Sequence, residues 1–543
     1  MGGRPPSLAQ EALMFTGSLF PYQHEAVDRI LSDRRILVAY SMGTGKTVLT
    51  LAALEELAGR GDMRRCVIMV PSSLKWQWAQ AVAEFTDVPT RVVTLRGMDL
   101  TVPREEVCTV ITGTPAQRRR QWQQAQHADY VVMSYGAVLH DWKELCALPA
   151  DALVLDEATA IKNFSAQTSK RVKKLLPPIR IALTGTPVEN RPEEVFSIME
   201  WVNARVLGRW DLFDKSYIVR NHFGGVQTYK NLGLLNRNLN RSMIRKSRLD
   251  PEVAKHLPAV METTRHVQLD ATTRAVYKAI LADVQAAMDE LAEAGGSDFD
   301  LAAYYAGAKT GGTHPAQGKL MACLQAARML LDHPQLLMDS AVAFHEGSGG
   351  SRYAADFVAS RYDLPDMHHS PKLNALDELV GLMLAEPGAK AAIFTDYRKM
   401  LPYLSGRLEA HGELVLFHGQ LSAEEKAGAL ARFKTDPDVR LFISTNAGGY
   451  GLDLPQAQYL VNYDLPYSNG VLAQRNTRHV RASSTFERVH VTSLVVEDTI
   501  EERVQATLRL RQTLADAIVD GLGAGDPLDM ATQSLAEHIE NVD

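Results

Sequence analysis

The feature that most constrains the fold of this chain is a repeated pattern of short apolar runs, separated by segments of helical composition. Such runs are typical of strands buried on both faces of a parallel sheet. Five of them lie in the first part of the chain, at 34–40, 65–71, 130–135, 152–158 and 179–185. Five more lie in the last part, at 390–397, 413–419, 439–445, 458–464 and 488–496. The two series predict an α/β protein with two parallel-sheet lobes.

The segment between the two series has a different composition. It contains helix-like stretches interrupted by glycine- and serine-rich joints, which predicts a helical insertion. The predicted domains are a first lobe at 1–245, the helical insertion at 246–369, a second lobe at 370–510, and a C-terminal helix and polar tail at 511–543.

Composition limits the classes of function. A chain of 543 residues with 46% hydrophobic and 22% charged residues is typical of globular proteins. Its four scattered cysteines predict neither a zinc site nor disulfides. No apolar run reaches membrane-spanning length and no signal-peptide pattern opens the chain, so we expect a cytoplasmic protein without a membrane partner. The net charge of −6 excludes a uniformly basic surface, so phosphate contacts must come from local clusters.

A glycine-rich turn joins the first apolar run to a helix-like segment, which is the context of a phosphate-binding loop. The turn consists of Gly43, Thr44, Gly45, Lys46 and Thr47. Backbone N–H groups at the helix start would bind phosphates, Lys46 would neutralise their charge, and the Thr47 hydroxyl would bind Mg²⁺. The sequence therefore predicts ATP and Mg²⁺ as cofactors. Tyr40 replaces the first glycine of the usual pattern.

Two acids, Asp156 and Glu157, end the fourth run, at the sheet edge where such folds bind ligands. Asp156 would hold Mg²⁺ through water, and Glu157 would orient and deprotonate the attacking water. The alternative is that the pair only caps a helix. The fifth run leads into Thr184, Gly185 and Thr186, whose hydroxyls could pass the state of the γ-phosphate to neighbouring segments, although alone this is only a turn.

Over residues 18–510 these segments resemble the Swi/Snf-type ATPases of helicase superfamily two. The glycine-rich turn resembles the family's MGLGKT, and Asp156-Glu157-Ala158-Thr159 resembles its DEAH box. Phe20-Pro21-Tyr22-Gln23 resembles its adenine-reading motif, which places Gln23 at the adenine. The resemblance implies two tandem RecA-like lobes and ATP hydrolysis stimulated by nucleic acid. Tyr40 and Ser41 stand where the family usually has two acids, and Thr159 replaces the usual histidine.

Several polar and basic residues are candidates for nucleic-acid binding. Two segments resemble motif Ia and the family's IKN stretch, and a third contains paired basic residues followed by Leu-Pro. Arg237, Arg241 and Arg245 also fall at helical spacing, which could meet phosphates, although a solvated helix face is the usual meaning of such a charge run. The candidates are Ser72, Lys75, Lys162, Asn163, Arg241, Arg245 and Lys246.

Two stretches of the second lobe complete the resemblance. Glycines after the strand-like run 439–445 and the following Asp453 resemble motif V, although the family prefers asparagine at 453 and Gly451-Leu452-Asp453 is closer to strand-separating helicases. Gln474, Arg475, Arg478 and Arg481 resemble motif VI. The resemblance implies that ATP is contacted by Gly449, Gly451, Asp453 and Gln474.

The resemblance also makes Arg478 and Arg481 the arginine fingers. Guanidinium groups suit that role because they stay charged and bind phosphate oxygens in a planar fork. The alternative is an exposed basic helix. Fingers on the second lobe would tie hydrolysis to closure of a cleft between the lobes.

The leading hypothesis from the resemblance is a translocase on double-stranded DNA that remodels or displaces bound protein. The second is a strand-separating DNA or RNA helicase, including a motor subunit of a restriction or repair complex. The third is a nucleotide-responsive scaffold without turnover, which loss of Lys46, Glu157 or the arginine pair would indicate; all are present. The compact length favours a bacterial or viral origin, and a eukaryotic origin would instead predict a nuclear protein. The sequence leaves the oligomeric state open.

Overall fold

The structure is a computed structural model that describes residues 15–95, 98–220, 225–293, 315–360, 369–445, 452–481 and 484–522. The chain forms two compact units. The described residues of the first unit fall within Met1–Tyr217, Asn231–Leu257 and Ala515–Asp526. Those of the second fall within Ile218–Lys230 and Pro258–Leu514.

The first unit is built around a parallel sheet of seven strands. They are β1 (Arg35–Tyr40), β2 (Cys66–Val70), β5 (Cys108–Val110), β6 (Tyr130–Ser134), β7 (Ala152–Asp156), β8 (Ile179–Leu183) and β11 (Met243–Lys246), and β3 (Thr90–Leu95) pairs with β4 (Met98–Pro103) in a separate hairpin. The order across the sheet is β11-β1-β8-β7-β2-β6-β5. Strands β1, β2, β7 and β8 are almost wholly buried, as expected of parallel strands covered by helices on both faces.

The helices of this unit connect the strands. Its α-helices are Pro21–Asp33, Lys46–Gly59, Lys75–Phe85, Pro115–Ala125, Ala137–His140, Trp142–Ala147, Gln167–Val172, Pro192–Asn203, Trp210–Tyr217, Leu232–Leu239 and Pro251–Ala254. A 3₁₀ turn covers Ala158–Ile161.

The second unit contains a parallel sheet of six strands. They are β12 (Ala259–Val267), β13 (Ala391–Thr395), β14 (Glu413–Phe417), β15 (Val439–Thr445), β16 (Tyr459–Asn462) and β17 (Arg488–Val496), and a hairpin joins β9 (Ile218–Arg220) to β10 (Val226–Tyr229). The order is β12-β17-β16-β13-β15-β14. Its α-helices are Ala271–Glu293, Pro315–Asp332, Gln335–His345, Arg352–Ala359, Pro371–Leu384, Leu401–Leu408, Ala423–Thr435, Asn469–Asn476 and Ile500–Val519, the last continuing past this unit's boundary, and 3₁₀ turns cover Arg398–Met400 and Glu409–His411.

The predicted α/β architecture with two parallel sheets is confirmed, and all ten apolar runs contain strands. The domain boundaries differ from the prediction. Position 245/246 falls inside β11, which pairs with β1 and so belongs to the first unit. The helices expected to form a separate insertion share one hydrophobic core with the second sheet, where Leu324 and Leu336 cluster with Ile393. None of the described helices is long and apolar enough to cross a membrane.

The predicted basic stripe on one helix is wrong. Arg237 lies on helix Leu232–Leu239, but Arg241 follows the end of that helix and Arg245 lies on β11. Helical spacing in the sequence therefore does not place the three side chains on a common face. The intervening change from helix to strand is the physical reason.

A buried ion cluster fixes the helices of the second unit to its sheet. Lys372 is fully buried and pairs with Asp332, at 2.9 Å, and with Glu501. Burial lowers the pKa of Lys372, but the two carboxylates outweigh it and raise the pKa above its ordinary value. Tyr463 donates its hydroxyl to the carbonyl of Asp332. The cluster thus joins the helices that carry Asp332, Lys372 and Glu501.

We expect Lys372→Met to lower the free energy of unfolding by about 3–5 kcal/mol, because two carboxylates would remain buried without their cation. Urea denaturation of the full chain measures the change. The control is Lys319→Met, which removes an exposed ion pair with Glu290 and is expected to cost less than about 1 kcal/mol. Equal losses in the two variants would contradict a structural role for the buried cluster.

Candidate nucleotide-binding and hydrolysis site

The predicted phosphate-binding loop lies between the end of β1 and the start of helix Lys46–Gly59. Gly43 and Gly45 have φ angles of 81° and 78°, in the left-handed region that glycine adopts without strain. The amide groups of the first helical turn have no partner within the helix and carry the positive end of its dipole. The loop therefore has the backbone geometry of an anion-binding site.

Gln23 contacts this loop directly. Its amide nitrogen donates to the carbonyl of Thr44 at 2.9 Å, and its amide oxygen accepts from the N–H of Phe20 at 2.8 Å. A Cβ atom on Gly45 would lie 2.4 Å from Nε2 of Gln23, so a side chain there would displace the Gln23 amide as well as strain the φ angle. The structure brings together Gln23 and the phosphate loop; the adenine contact itself stays a prediction.

Tyr40 explains how the loop tolerates the loss of its usual first glycine. The residue ends β1, its ring is fully buried, and its hydroxyl donates to the carbonyl of Tyr22 at 2.7 Å. Burial raises the pKa of Tyr40, which keeps the hydroxyl a neutral donor. The side chain thus packs against Tyr22 and fixes the segment that carries Gln23.

Lys46 and Thr47 begin the helix after the loop. The Lys46 ammonium donates to the carbonyls of Tyr40 and Ser41, at 2.9 and 3.2 Å. Phosphate oxygens could replace these two carbonyls as acceptors for the Lys46 ammonium, because both kinds of oxygen accept hydrogen bonds. Thr47 is half-buried on the first helical turn, next to the predicted phosphate position.

The acid pair lies at the end of β7. Oδ2 of Asp156 accepts from the indole Nε1 of Trp78 at 2.8 Å, and Oδ1 accepts from the N–H of Glu157 at 2.9 Å. Burial raises the pKa of Asp156, while the Trp78 hydrogen bond, the charge of Lys46 and the Glu157 N–H oppose that shift.

Glu157 has a left-handed backbone with φ of 50° and ψ of 57°, which is uncommon for a residue other than glycine. It precedes the 3₁₀ turn Ala158–Ile161, but its side chain makes no capping hydrogen bond to that turn. Simple helix capping therefore does not explain the acid pair. Thr159, at the position of the family's histidine, is buried in the turn.

The Thr184–Thr186 segment packs against the phosphate loop. A Cβ atom on Gly185 would lie 2.9 Å from Cγ of Met42 and 3.3 Å from its backbone nitrogen. Thr184 is fully buried, and its hydroxyl oxygen accepts from the N–H of Thr186 at 3.1 Å. The Thr186 hydroxyl oxygen is itself buried, and the described residues give it no hydrogen-bond partner. That orphaned polar atom beside the loop fits a polar ligand such as a phosphate.

ATP and Mg²⁺ fit the residues present. The glycine cradle and Lys46 suit a triphosphate, and Asp156 with Thr47 supplies oxygen donors of the kind Mg²⁺ prefers. Among the described residues, no group of three or more His, Cys, Asp or Glu could hold a metal ion. Mg²⁺ that binds together with nucleotide phosphates usually has only one or two protein ligands, and phosphate and water oxygens complete its coordination.

Four of the candidate nucleic-acid ligands are engaged within the first unit. Arg245 pairs with Asp520 at 2.7 Å, and Lys246 pairs with Glu25 at 2.7 Å. Lys162 pairs with Glu189, and the buried Lys75 ammonium donates to Oγ1 of Thr112 at 2.8 Å. The side chains that remain exposed are those of Ser72, Asn163 and Arg241. The assignment of all seven residues to nucleic-acid binding stays a prediction. The four engaged residues would have to leave their present partners in order to bind nucleic acid.

The candidate arginine fingers lie just after helix Asn469–Asn476 in the second unit. Arg478 is buried and donates to the carbonyl of Leu452 at 3.2 Å, whereas Nε of Arg481 donates to Asp453 at 2.7 Å. Gln474 is also buried. An exposed basic helix is therefore the wrong description of these residues. Gly449 and Gly451 lie outside the described residues.

Sequence reasoning missed two groups of contacts. Trp78 touches the predicted metal-binding carboxylate, but a tryptophan within an apolar helix gives no signal of a polar partner. In the second unit, Arg475 pairs with Asp396 and lies 3.8 Å from Asp464, although the motif resemblance assigns it no role. Both contacts join residues distant in sequence, so local patterns could not predict them.

Comparisons with known proteins agree with this geometry. Residues 22–336 match the SNF2-related domain, and residues 371–483 match the helicase conserved C-terminal domain. The chain belongs to the SNF2-related family. That family consists of ATP hydrolases of helicase superfamily two, so the chain carries an ATP hydrolase core.

Relatives of the SNF2-related family match nearly the whole chain. Bacillus subtilis YwqA, designated a candidate ATP-dependent helicase/translocase, is 27% identical over 96% of this chain and 51% of its own. The Caenorhabditis elegans chromodomain-helicase-DNA-binding protein 3 homolog is 24% identical over 96% of this chain and 28% of its own. The chain thus spans about half the length of YwqA. The Pyrococcus furiosus Hef helicase domain, at 16% identity, covers 90% of this chain and 97% of that one with a TM-score of 0.52, which shows the fold.

We expect Gly45→Ala to weaken ATP binding by about tenfold, because a side chain strains the left-handed backbone and displaces Gln23. Titration with a fluorescent ATP analogue measures the change. The matched control is Gly59→Ala, at the other end of the same helix, where an added Cβ meets nothing within 4 Å. Unchanged affinity in a folded Gly45→Ala protein would show that the loop does not bind the phosphates.

Proposed function

We propose that this chain is an ATP-driven translocase on double-stranded DNA that remodels or displaces bound protein. The observation that supports the proposal most is the convergence of three segments at one sheet edge. The phosphate loop contacts both Gln23 and the Thr184–Thr186 segment, and Asp156 ends the strand beside the one that leads into that segment. These parts bind a nucleotide and also offer a route by which its state reaches other surfaces.

In the proposed reaction, Lys46 exchanges its carbonyl partners for the β- and γ-phosphates and neutralises their charge. Glu157 orients the attacking water and accepts its proton. Mg²⁺, held by Thr47 and through water by Asp156, would supply further neutralisation of phosphate charge. The Thr186 hydroxyl, next to Gly185, which contacts the loop, would report whether a γ-phosphate is present.

Arg478 and Arg481 supply the remaining charge in this proposal. Both are held by acceptors of the Leu452–Asp453 segment, so their guanidinium groups keep defined positions. The family resemblance implies that these arginines would act only when the two lobes close during turnover. Repeated closure and opening would move the protein along a backbone.

Duplex DNA as the track is a proposal from the family resemblance. A relative's name designates it DNA-binding, and another's designates it a helicase/translocase. Strand separation is the second candidate, because Asp453 is the residue of strand-separating helicases and contacts Arg481. The ion pairs of Arg245 and Lys246 predict that binding to phosphates is coupled to release of acidic partners.

The first experiment is steady-state ATP hydrolysis with no polymer, duplex DNA, single-stranded DNA or RNA, with Glu157→Gln as the inactive control. We expect duplex DNA to stimulate most, and the protein to displace a triplex-forming strand without separating the duplex. Stimulation chiefly by single strands or RNA would favour the helicase. Turnover no higher than that of Glu157→Gln in every condition would contradict the motor and favour the scaffold.

We expect Arg481→Ala to lower the turnover number by about 1,000-fold or more, as for other arginine fingers, with little change in ATP affinity. Single-turnover hydrolysis and nucleotide titration separate the two quantities. Arg488→Ala is the control, because Arg488 is an exposed arginine at the start of β17 in the same unit. A turnover number within a few-fold of the parent would mean that Arg481 only pairs with Asp453.

A further inference from the structure

Trp78 links the packed interior of the first unit to the acid pair at the end of β7. It lies on helix Lys75–Phe85 and is one of the largest fully buried side chains described. Its only polar side-chain atom, the indole Nε1, donates to Oδ2 of Asp156 at 2.8 Å. A buried indole N–H usually finds a hydrogen-bond acceptor, and here the acceptor is the carboxylate to which the proposed function assigns Mg²⁺.

The contact determines how the Asp156 carboxylate is oriented. Oδ2 accepts from Trp78 on one side, and Oδ1 accepts from the backbone N–H of Glu157 on the other. Each carboxylate oxygen has a further lone-pair site. The two donors hold the plane of the group and leave those sites for a hydrated cation. The backbone of Asp156 is fixed separately, because its carbonyl accepts from the Tyr135 hydroxyl at 2.8 Å.

We infer that Trp78 is a positioning residue for metal binding, acting through the orientation of the Asp156 carboxylate. This rests on the proposed function, in which Asp156 holds Mg²⁺. Hydrogen-bond partners of metal-binding carboxylates set the geometry of the ligand, and their loss commonly costs about 10–100-fold in metal affinity. The indole is suited to this task because it is a donor only and cannot itself bind the cation.

The test compares Mg²⁺-dependent nucleotide binding without turnover. In a Glu157→Gln background, a fluorescent ATP analogue is titrated at increasing Mg²⁺ and, separately, in EDTA. We expect Trp78→Phe to raise the Mg²⁺ concentration needed for half-maximal tightening by about tenfold or more. Its affinity in EDTA should stay within about twofold of the parent, because the metal-free contacts of the phosphate loop are not removed.

Two further variants separate positioning from packing. Trp76→Phe changes a less buried tryptophan on the same helix and should leave the Mg²⁺ requirement unchanged. Replacing Trp78 by 3-benzothienylalanine keeps the bicyclic shape but removes the N–H donor. It should raise the Mg²⁺ requirement by a factor similar to that expected for Trp78→Phe. It also provides the test if the Trp78→Phe protein does not fold. A normal Mg²⁺ requirement in the folded benzothienyl protein would overturn the inference.

A double-mutant cycle checks that the effect passes through Asp156. In an Asp156→Asn background, Trp78→Phe should add little to the Mg²⁺ requirement, because the carboxylate it orients is gone. Full additivity, or equal weakening in EDTA and in Mg²⁺, would make Trp78 a structural residue. If the parent protein itself shows no Mg²⁺-dependent binding, the proposed function fails, which is a different result from a normal Mg²⁺ requirement in the Trp78 variants.

Discussion

The parallel pairing of β1, β8 and β7 is the constraint on which the rest of the site depends. Neighbouring strands lie about 4.8 Å apart, so the ends of three adjacent strands fall within about 10 Å. Tyr40, Leu183 and Asp156 end these strands at the same edge, and Asp156 is in register with Leu183. Each following loop therefore starts within reach of the other two. No long-range contact has to be specified separately, because the sheet order already places the phosphate loop, the Thr184–Thr186 segment and the acid pair together.

That convergence requires close approach of backbone and side chains, and particular residues permit it. Gly45 and Gly185 leave room for Gln23 and Met42 respectively. Tyr40 contributes a hydrogen bond instead of space, because its hydroxyl links the end of β1 to the helix that carries Gln23. The residue that replaces the usual glycine is thus a fully buried side chain that packs against the helix carrying Gln23.

Much of this could be predicted from the sequence, because buried parallel strands are apolar throughout and phosphate loops have a fixed order of residue types. Strand β12 escaped prediction because its Glu262, Thr263 and Thr264 are polar, as an edge strand allows. Strand β11 was hidden by basic residues at helical spacing. Lys372 illustrates a further limit: lysine is normally a surface residue, and only the fold reveals that Asp332 and Glu501 surround it.

The candidate nucleic-acid residues Arg245 and Lys246 lie close to acidic residues. In a chain of net charge −6, basic residues near the first sheet have carboxylates within reach, and Arg245 and Lys246 are held by Asp520, Glu25 and Glu252. If these residues bind nucleic acid as predicted, phosphates would compete with the carboxylates, and binding would gain less free energy than it would at an unpaired cation. Arg245 also donates to the carbonyls of Ala39 and, more weakly, Gly185, which belong to β1 and to the Thr184–Thr186 segment. An exchange of its partners would therefore also affect β1 and the Thr184–Thr186 segment, which we propose to be part of the nucleotide site.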